Sequence, residues 1–188
     1  MARPRSDAKR AAILEAAVGV LGEVGLSAST ALIAERAAVS HGSVFKYFEA
    51  KTDLFNAAYL LLKEELGEAA LSDLPTNDDP MVQLHHLWTR WLDWGTSRPY
   101  RRLALVRLGA SEIVTAEARQ ASRAMAAKGI EVLKRSSASG VFADQSFEFV
   151  AGIFEAMAGA TMDAMIEDPE RAAMLGETAF EALRRALS

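Results

Sequence analysis

The chain has 188 residues, a net charge of −4 and no cysteine, which excludes a disulfide framework and a thiolate metal site and is compatible with a reducing cytoplasm. Its residues are 51% hydrophobic with a mean hydropathy of +0.06, enough for a sizeable core and too apolar for a disordered chain. No uninterrupted apolar run approaches the roughly 18 residues of a bilayer span, and the N-terminal MARPRSDAKR lacks the apolar centre of a secretory signal; the expectation is a cytoplasmic protein without membrane contact.

Apolar residues recur at three-and-four spacing along most of the chain, which predicts an all-α fold of about nine helices. Helix one is expected over 7–24, with Ser6 as N-cap, Asp7 at the positive helix end and Ile13, Ala17, Val20, Leu21 and Val24 as the apolar stripe. Gly25 fits the left-handed position after the helix, with Leu26 packing behind it. Ser29 caps helix two (30–37) and Ser40 caps helix three (41–48). Helix four runs from Lys51 or Thr52 to about Ala70 through Leu54, Phe55, Ala58, Leu61 and Leu62. The polar stretch Ser72–Asp79 reads as a loop, after which Asp79 caps helix five and Pro80 takes its first position. That helix carries Leu84, Leu87, Trp88, Trp91 and Trp94 and ends before Pro99. Helix six covers 100–112, and one long helix covers 115–136 until the Ser/Gly-rich SSASG. Asp144 caps a helix reaching Ile166, and Asp168–Pro169 opens the last one, ending near Leu187.

Charge is unevenly placed. Residues 1–51 carry seven Lys/Arg against five acids, while the rest carries fourteen against twenty. A basic head on an acidic body suits a protein that presents one end to a polyanion. The segment Ser29–Lys51, STALIAERAAVSHGSVFKYFEAK, supplies the reason. It holds two short helical patterns around a three-residue break. In the second, Val44, Phe45 and Phe48 form the apolar side, and His41, Ser43, Lys46 and Tyr47 are left outside. That is the layout of a helix-turn-helix, whose second helix enters the major groove of double-stranded DNA. The domain division is expected near residue 50: a helix-turn-helix DNA-binding domain over 1–50 and a helical ligand-binding and dimerisation domain over 51–188.

The sequence resembles the N-terminal signature of the TetR (tetracycline repressor-like) family of bacterial regulators. The match runs from Arg10 through Ile13-Leu14, Ala16-Ala17, Leu21, Gly25 and Ile33-Ala34 to Ala37, Val39-Ser40, Gly42, Val44, Tyr47-Phe48, Lys51 and Leu54. It covers the first third of the chain. Three positions depart from the family pattern. Ala38 stands in the turn where glycine is usual, Ala31 where many members carry a polar residue, and Phe45 where tyrosine is common.

Ser29 and Thr30 bring hydroxyls and free N–H groups to the start of helix two, where a phosphate can be held. The resemblance implies phosphate contacts at Ser43, Tyr47 and Lys51. His41, Gly42 and Lys46 are the candidates for base edges, with Gly42 permitting close approach and Lys46 addressing guanine. Arg3, Arg5, Lys9 and Arg10 form either a basic arm along the DNA backbone or a frayed end.

One head covers few base pairs, so a homodimer on a palindromic operator is expected. Its interface is placed on the last two helices at Ala151, Phe154, Gly159, Phe180, Leu183 and Leu187, where small residues allow close helix approach and large ones add apolar area. The resemblance implies a four-helix interface and release of DNA by a small molecule. Trp88, Trp91, Met125, Met157 and Met162 are candidates to line an apolar effector pocket, with Arg107 as a polar handle. His85-His86 point to different helix faces and lack a third ligand, so no metal and no cofactor is expected. No nucleophile elbow, phosphate-cradling Gly-rich loop or HExxH is present, which argues against an enzyme. The competing readings are an activator on the same fold and a helical ligand-binding or adaptor protein that has lost DNA recognition.

Overall fold

The computed structural model describes residues 3–76 and 79–187, without the side chains of residues 3–6. Among the described residues there are ten α-helices and no strand. They are α1 (Arg3–Val24), α2 (Thr30–Arg36), α3 (His41–Val44), α4 (Lys51–Leu71), α5 (Pro80–Ser97), α6 (Pro99–Gly109), α7 (Ala116–Met125), α8 (Ala127–Ser136), α9 (Phe147–Glu167) and α10 (Ala172–Leu187). The all-helical class is as expected, and four boundaries differ. Helix α1 begins at Arg3, so Ser6 lies inside it and is not its cap. The long helix expected over 115–136 is two helices that meet at Ala126, whose ψ of 2° interrupts the helical run. No proline marks that break; the weak helix former Gly129 one turn later is its only local sign. Ser146, not Asp144, caps α9, its hydroxyl accepting from the Phe149 N–H at 3.3 Å. Helix α3 is four residues long, and the chain tightens into turns over Phe45–Tyr47.

The remaining punctuation follows from local chemistry. Asp79 caps α5, its carboxylate accepting from the Met81 N–H at 2.7 Å. Thr115 caps α7 through the Ala118 N–H at 3.2 Å. Gly25 has φ +77°, the left-handed conformation that ends α1. Asn77 and Asp78 of the expected loop, and the side chains of Arg3 and Arg5, lie outside the described residues.

The chain forms two compact units, Met1–Glu64 with Arg98–Ala124 and Glu65–Ser97 with Met125–Ser188. A cut at residue 50 therefore does not follow the packing, because α6 and α7 group with the N-terminal helices. In the first unit, α1 packs along α6. Gly22 makes this possible, since a Cβ there would sit 2.4 Å from the Tyr100 carbonyl oxygen. Arg107 of α6 donates to the carbonyls of Leu21 and Gly22, both at 2.8 Å, and so satisfies acceptors in the last turns of α1. Arg101 makes a bidentate pair with Glu15 and holds its carboxyl below the usual range. Asn56 of α4 ties the turn before α7, donating to the Ile113 carbonyl and accepting from the Thr115 N–H.

The second unit closes around Leu84, Leu87 and Trp88 of α5, Val132 and Leu133 of α8, Val150, Phe154 and Met162 of α9, and Phe180, Leu183 and Leu187 of α10. Helix α9 behaves differently from its neighbours. By length and composition it is apolar enough to cross a bilayer, but Glu148, Glu155, Asp163 and Glu167 interrupt it, so it holds no uninterrupted apolar run of that length. Yet 28% of its most apolar window is buried. Gly22→Ala is expected to lower the stability of the chain by about 1–3 kcal/mol through overpacking against α6. Urea unfolding followed by circular dichroism checks this; an unchanged midpoint would mean that the α1–α6 contact yields to a methyl group.

Candidate functional site

Helices α2 and α3 are anchored by Ile33, Ala34 and Val44, all buried, with Phe48 buried just beyond α3. Ser29 caps α2, its hydroxyl accepting from the Leu32 N–H at 3.1 Å. Ser40 stands at the N-cap of α3 in extended conformation, but its hydroxyl is bonded to that of Ser43 at 2.7 Å and not to the helix N–H groups. Thr30 and His41 are hydrogen-bonded side chain to side chain at 2.9 Å. This bond joins the first residues of α2 and α3, so two residues expected at the DNA surface are held together in one place.

The turn between the helices is strained at the position where the family pattern has glycine. Ala38 has φ +53° and is one of two described non-glycine residues with positive φ. The family's glycine fits this conformation without penalty, and alanine does not. Phe45 departs from its expected place. It lies 42% exposed, its ring edge-on to His41 at 5.1 Å between centroids. Val44 and Phe48, four residues apart, hold the buried side, and Phe45 is rotated off it by one helical step. His41, Gly42 and Lys46 are exposed, Ser43 and Tyr47 are partly so, and a Cβ on Gly42 would meet nothing within 4 Å. Ala31 is exposed on the first turn of α2 and offers no polar group.

Two bases of the head are already engaged. Arg36 makes a bidentate pair with Glu23 at 2.8 Å on both oxygens. That contact holds the Glu23 carboxyl below the usual carboxylate range and leaves Arg36 little positive charge to offer a phosphate. Lys51 donates to the Leu26 carbonyl at 3.2 Å and lies 4.9 Å from the Phe55 ring centre. A phosphate at Lys51 has to compete with that carbonyl. Arg10 lies in α1 with its guanidinium 5.2 Å from the Phe48 ring centre, so it is part of the helix and not of a frayed end.

The second unit brings together four of the expected effector residues. Trp88 and Met162 are buried in its core, and Trp91 and Met157 pack against that core while partly exposed. Trp91 meets Phe154 at 5.3 Å between ring centres. Trp88 is wholly structural in its polar end, its indole N–H donating to the Gly176 carbonyl at 3.1 Å. Met125 is exposed at the end of α7, and Arg107 belongs to the first unit, where the α1 carbonyls occupy it. Most of the residues expected at the dimer interface face their own core instead. Phe154, Phe180, Leu183 and Leu187 are buried within the subunit, and Ala151 packs against the same core. Periodicity identified these apolar stripes but not which body they face. The exposed side of α9 is instead formed by Phe149, Gly152, Ala156 and Ala160, with Gly159 partly exposed. Among the described residues, no three His, Asp or Glu side chains gather as a metal-ligand set.

A helix-turn-helix with an exposed second helix, carried on an all-helical scaffold, defines the class of helical DNA-reading proteins. Residues 13–58 match the family of bacterial regulatory proteins, tetR family. Over 74 residues the chain is 40% identical to the HTH-type transcriptional regulator BetI of Yersinia pestis, a match that spans 37% of either chain. A putative tetR family transcription regulator from Shewanella sp. PV-4 superposes with a TM-score of 0.84 at 26% identity, covering 95% of this chain and 97% of that one. The TetR-like regulator LfrR of Mycobacterium smegmatis, solved in complex with proflavine, superposes with a TM-score of 0.68 at 22% identity over 94% and 95% of the two chains. The chain is thus similar to tetR family regulators in its N-terminal region, residues 13–58, and in the fold of the solved relatives.

Because Ala38 is left-handed, Ala38→Gly is expected to stabilise the chain by about 1 kcal/mol. The change should appear as a higher urea midpoint. A lower midpoint would mean that the alanine methyl contributes packing that outweighs the strain.

Proposed function

We propose that the chain is a DNA-binding transcriptional regulator, working as a homodimer on a palindromic operator and releasing it when a small, largely apolar effector enters the second unit. The observation that carries this is the surface at the start of α3. His41 is tied to Thr30, Gly42 leaves the backbone open, and Lys46 and Phe45 are exposed beside them. This surface offers both kinds of group that recognition requires. The hydroxyls of Ser29, Thr30, Ser43 and Tyr47, with Lys51, are assigned to phosphates. His41 and Lys46 are assigned to base edges, and Phe45 adds an apolar surface of the kind that meets a thymine methyl.

The dimer reading rests on α9. Small and apolar residues form a row on its exposed face, with Glu155, Asp163 and Glu167 among and beside them, and a Cβ added at Gly152 or Gly159 would meet nothing within 4 Å. A second copy of α9 can approach closely along such a face. We therefore move the proposed interface from the buried Phe180, Leu183 and Leu187 to Phe149, Gly152, Ala156, Gly159 and Ala160. The effector reading is supported by the aromatic and methionine content around Trp91 and Met157, and by LfrR, which shares the fold and was solved with proflavine. Release requires that the effector bind the non-DNA conformation better than the DNA-bound one. Repression is the simplest outcome of such release.

Gel shifts with DNA upstream of the chain's own gene test the reading. Sequence-dependent binding that weakens steeply with salt is expected, and its absence there and across the genome would sink it. Tyr47→Phe should weaken all sequences alike, whereas Lys46→Ala should cost about 1–3 kcal/mol at particular base positions and relax preference there. A switch of site preference with Tyr47→Phe would remove it from the phosphate set. Ala156→Glu places a charge in the proposed interface and should leave folded monomers by light scattering, with operator affinity falling at least about tenfold, or about 1.4 kcal/mol. A dimer that persists would move the interface off α9.

A further inference from the structure

Nearly all the buried polar side chains of the second unit are answered inside it. Trp88 donates to the Gly176 carbonyl, Gln83 to the Pro75 carbonyl, the Ser136 hydroxyl to the Pro80 carbonyl and the Thr161 hydroxyl to the Met157 carbonyl. Trp94 is the exception among the described residues. It is 2% exposed, and its indole N–H meets no acceptor. Folded proteins rarely keep a buried donor in that state unless it serves a purpose.

One helical turn earlier on α5 stands Arg90, half-buried, with no ion pair or hydrogen bond among the described residues. The i, i+4 spacing sets Arg90 and Trp94 side by side on one helix face. Trp91 shares that side of α5 and lies against Phe154, with Met157 packed on the same core. Two donors, one of them positively charged, thus stand one helical turn apart near Trp91 on α5, and neither has a partner among the described residues. A neutral apolar molecule would leave both unanswered, and an amine would be repelled. A carboxylate supplies acceptor lone pairs for both, and its charge matches the guanidinium.

We infer that Arg90 and Trp94 form the polar end of the effector site and that the effector is an amphipathic monoanion, a small carboxylate head on an apolar body that lies along Trp91. This rests on the effector reading above and adds the chemical class of the molecule. Arg90 supplies the charge, and Trp94 supplies a directed N–H that fixes the head.

The test uses dodecanoate and naphthalene-2-carboxylate, with dodecan-1-ol and dodecylamine as the neutral and cationic counterparts. Each is titrated into the full chain below its micelle concentration, followed by calorimetry and by the fluorescence of the three tryptophans, all of which lie on α5. At least one anion should bind at least about tenfold tighter than dodecan-1-ol, since charge-assisted hydrogen bonds are the strong ones. Arg90→Gln should bring that anion down to the level of the alcohol, and Arg90→Lys should restore part of the difference. Trp94→Phe should weaken the same anion while melting at the same temperature as the parent or higher, because it deletes an unanswered donor without opening a large cavity. Anions that bind no better than the alcohol, an Arg90→Gln variant with unchanged affinity, or binding of neither anion would overturn the inference. Gel shifts on the same preparations keep this result separate, since intact DNA binding leaves the regulator reading standing.

Discussion

The proposed DNA-facing end of this chain hangs on how closely α1 can approach α6. Gly22 admits the Tyr100 backbone where any side chain would collide, and Arg107 then answers the last-turn carbonyls of α1. Those two facts set where α1 ends, and Gly25 turns the chain there toward α2. From that point the small head has few choices. Ile33, Ala34, Val44 and Phe48 supply its buried anchors, and α1 covers them with its own stripe. The arginine expected to orient a ligand is therefore spent on structure, and its loss would leave backbone acceptors unanswered.

The surface that results economises on charge. Arg36 is neutralised by Glu23, and Lys51 already serves the Leu26 carbonyl. In the proposed reading, positive charge for a polyanion comes from Lys46 and the exposed Lys9 and Arg10 of α1, joined by Lys51 where a phosphate displaces that carbonyl. Hydroxyls and an aromatic edge complete the surface. The Thr30–His41 bond gives this head a preset arrangement, reducing the side-chain ordering that contact with a ligand must impose.

Much of this was readable from local chemistry. Ser29, Gly25, Asp79 and Pro80 mark helix ends because their conformational and hydrogen-bonding needs are met by nearest neighbours. The need for positive φ at Ala38 was legible as a departure from a glycine pattern. Other features depend on partners distant in sequence. Nothing around Arg107 announces Leu21 and Gly22 as its acceptors, 86 and 85 residues away. Apolar periodicity on α9 and α10 revealed stripes, but Phe180, Leu183 and Leu187 look identical in sequence whether they face their own core or a second chain. Phe45 misled for a related reason. A helix of four residues has no full stripe, so adjacency to Val44 was mistaken for a shared face. The unanswered indole of Trp94 is invisible in sequence, because satisfaction of a donor is a property of the fold alone.

The central claim is that the α3 surface reads DNA sequence, twice per functional unit. Selection of binding sites by the full-length protein from a pool of randomised duplexes, followed by sequencing, tests it directly. The account predicts a palindrome whose half-sites lie about one helical turn apart or a multiple of it, roughly 34–36 Å per turn. An unpaired single motif, or a pool that stays random at every salt concentration, would contradict it.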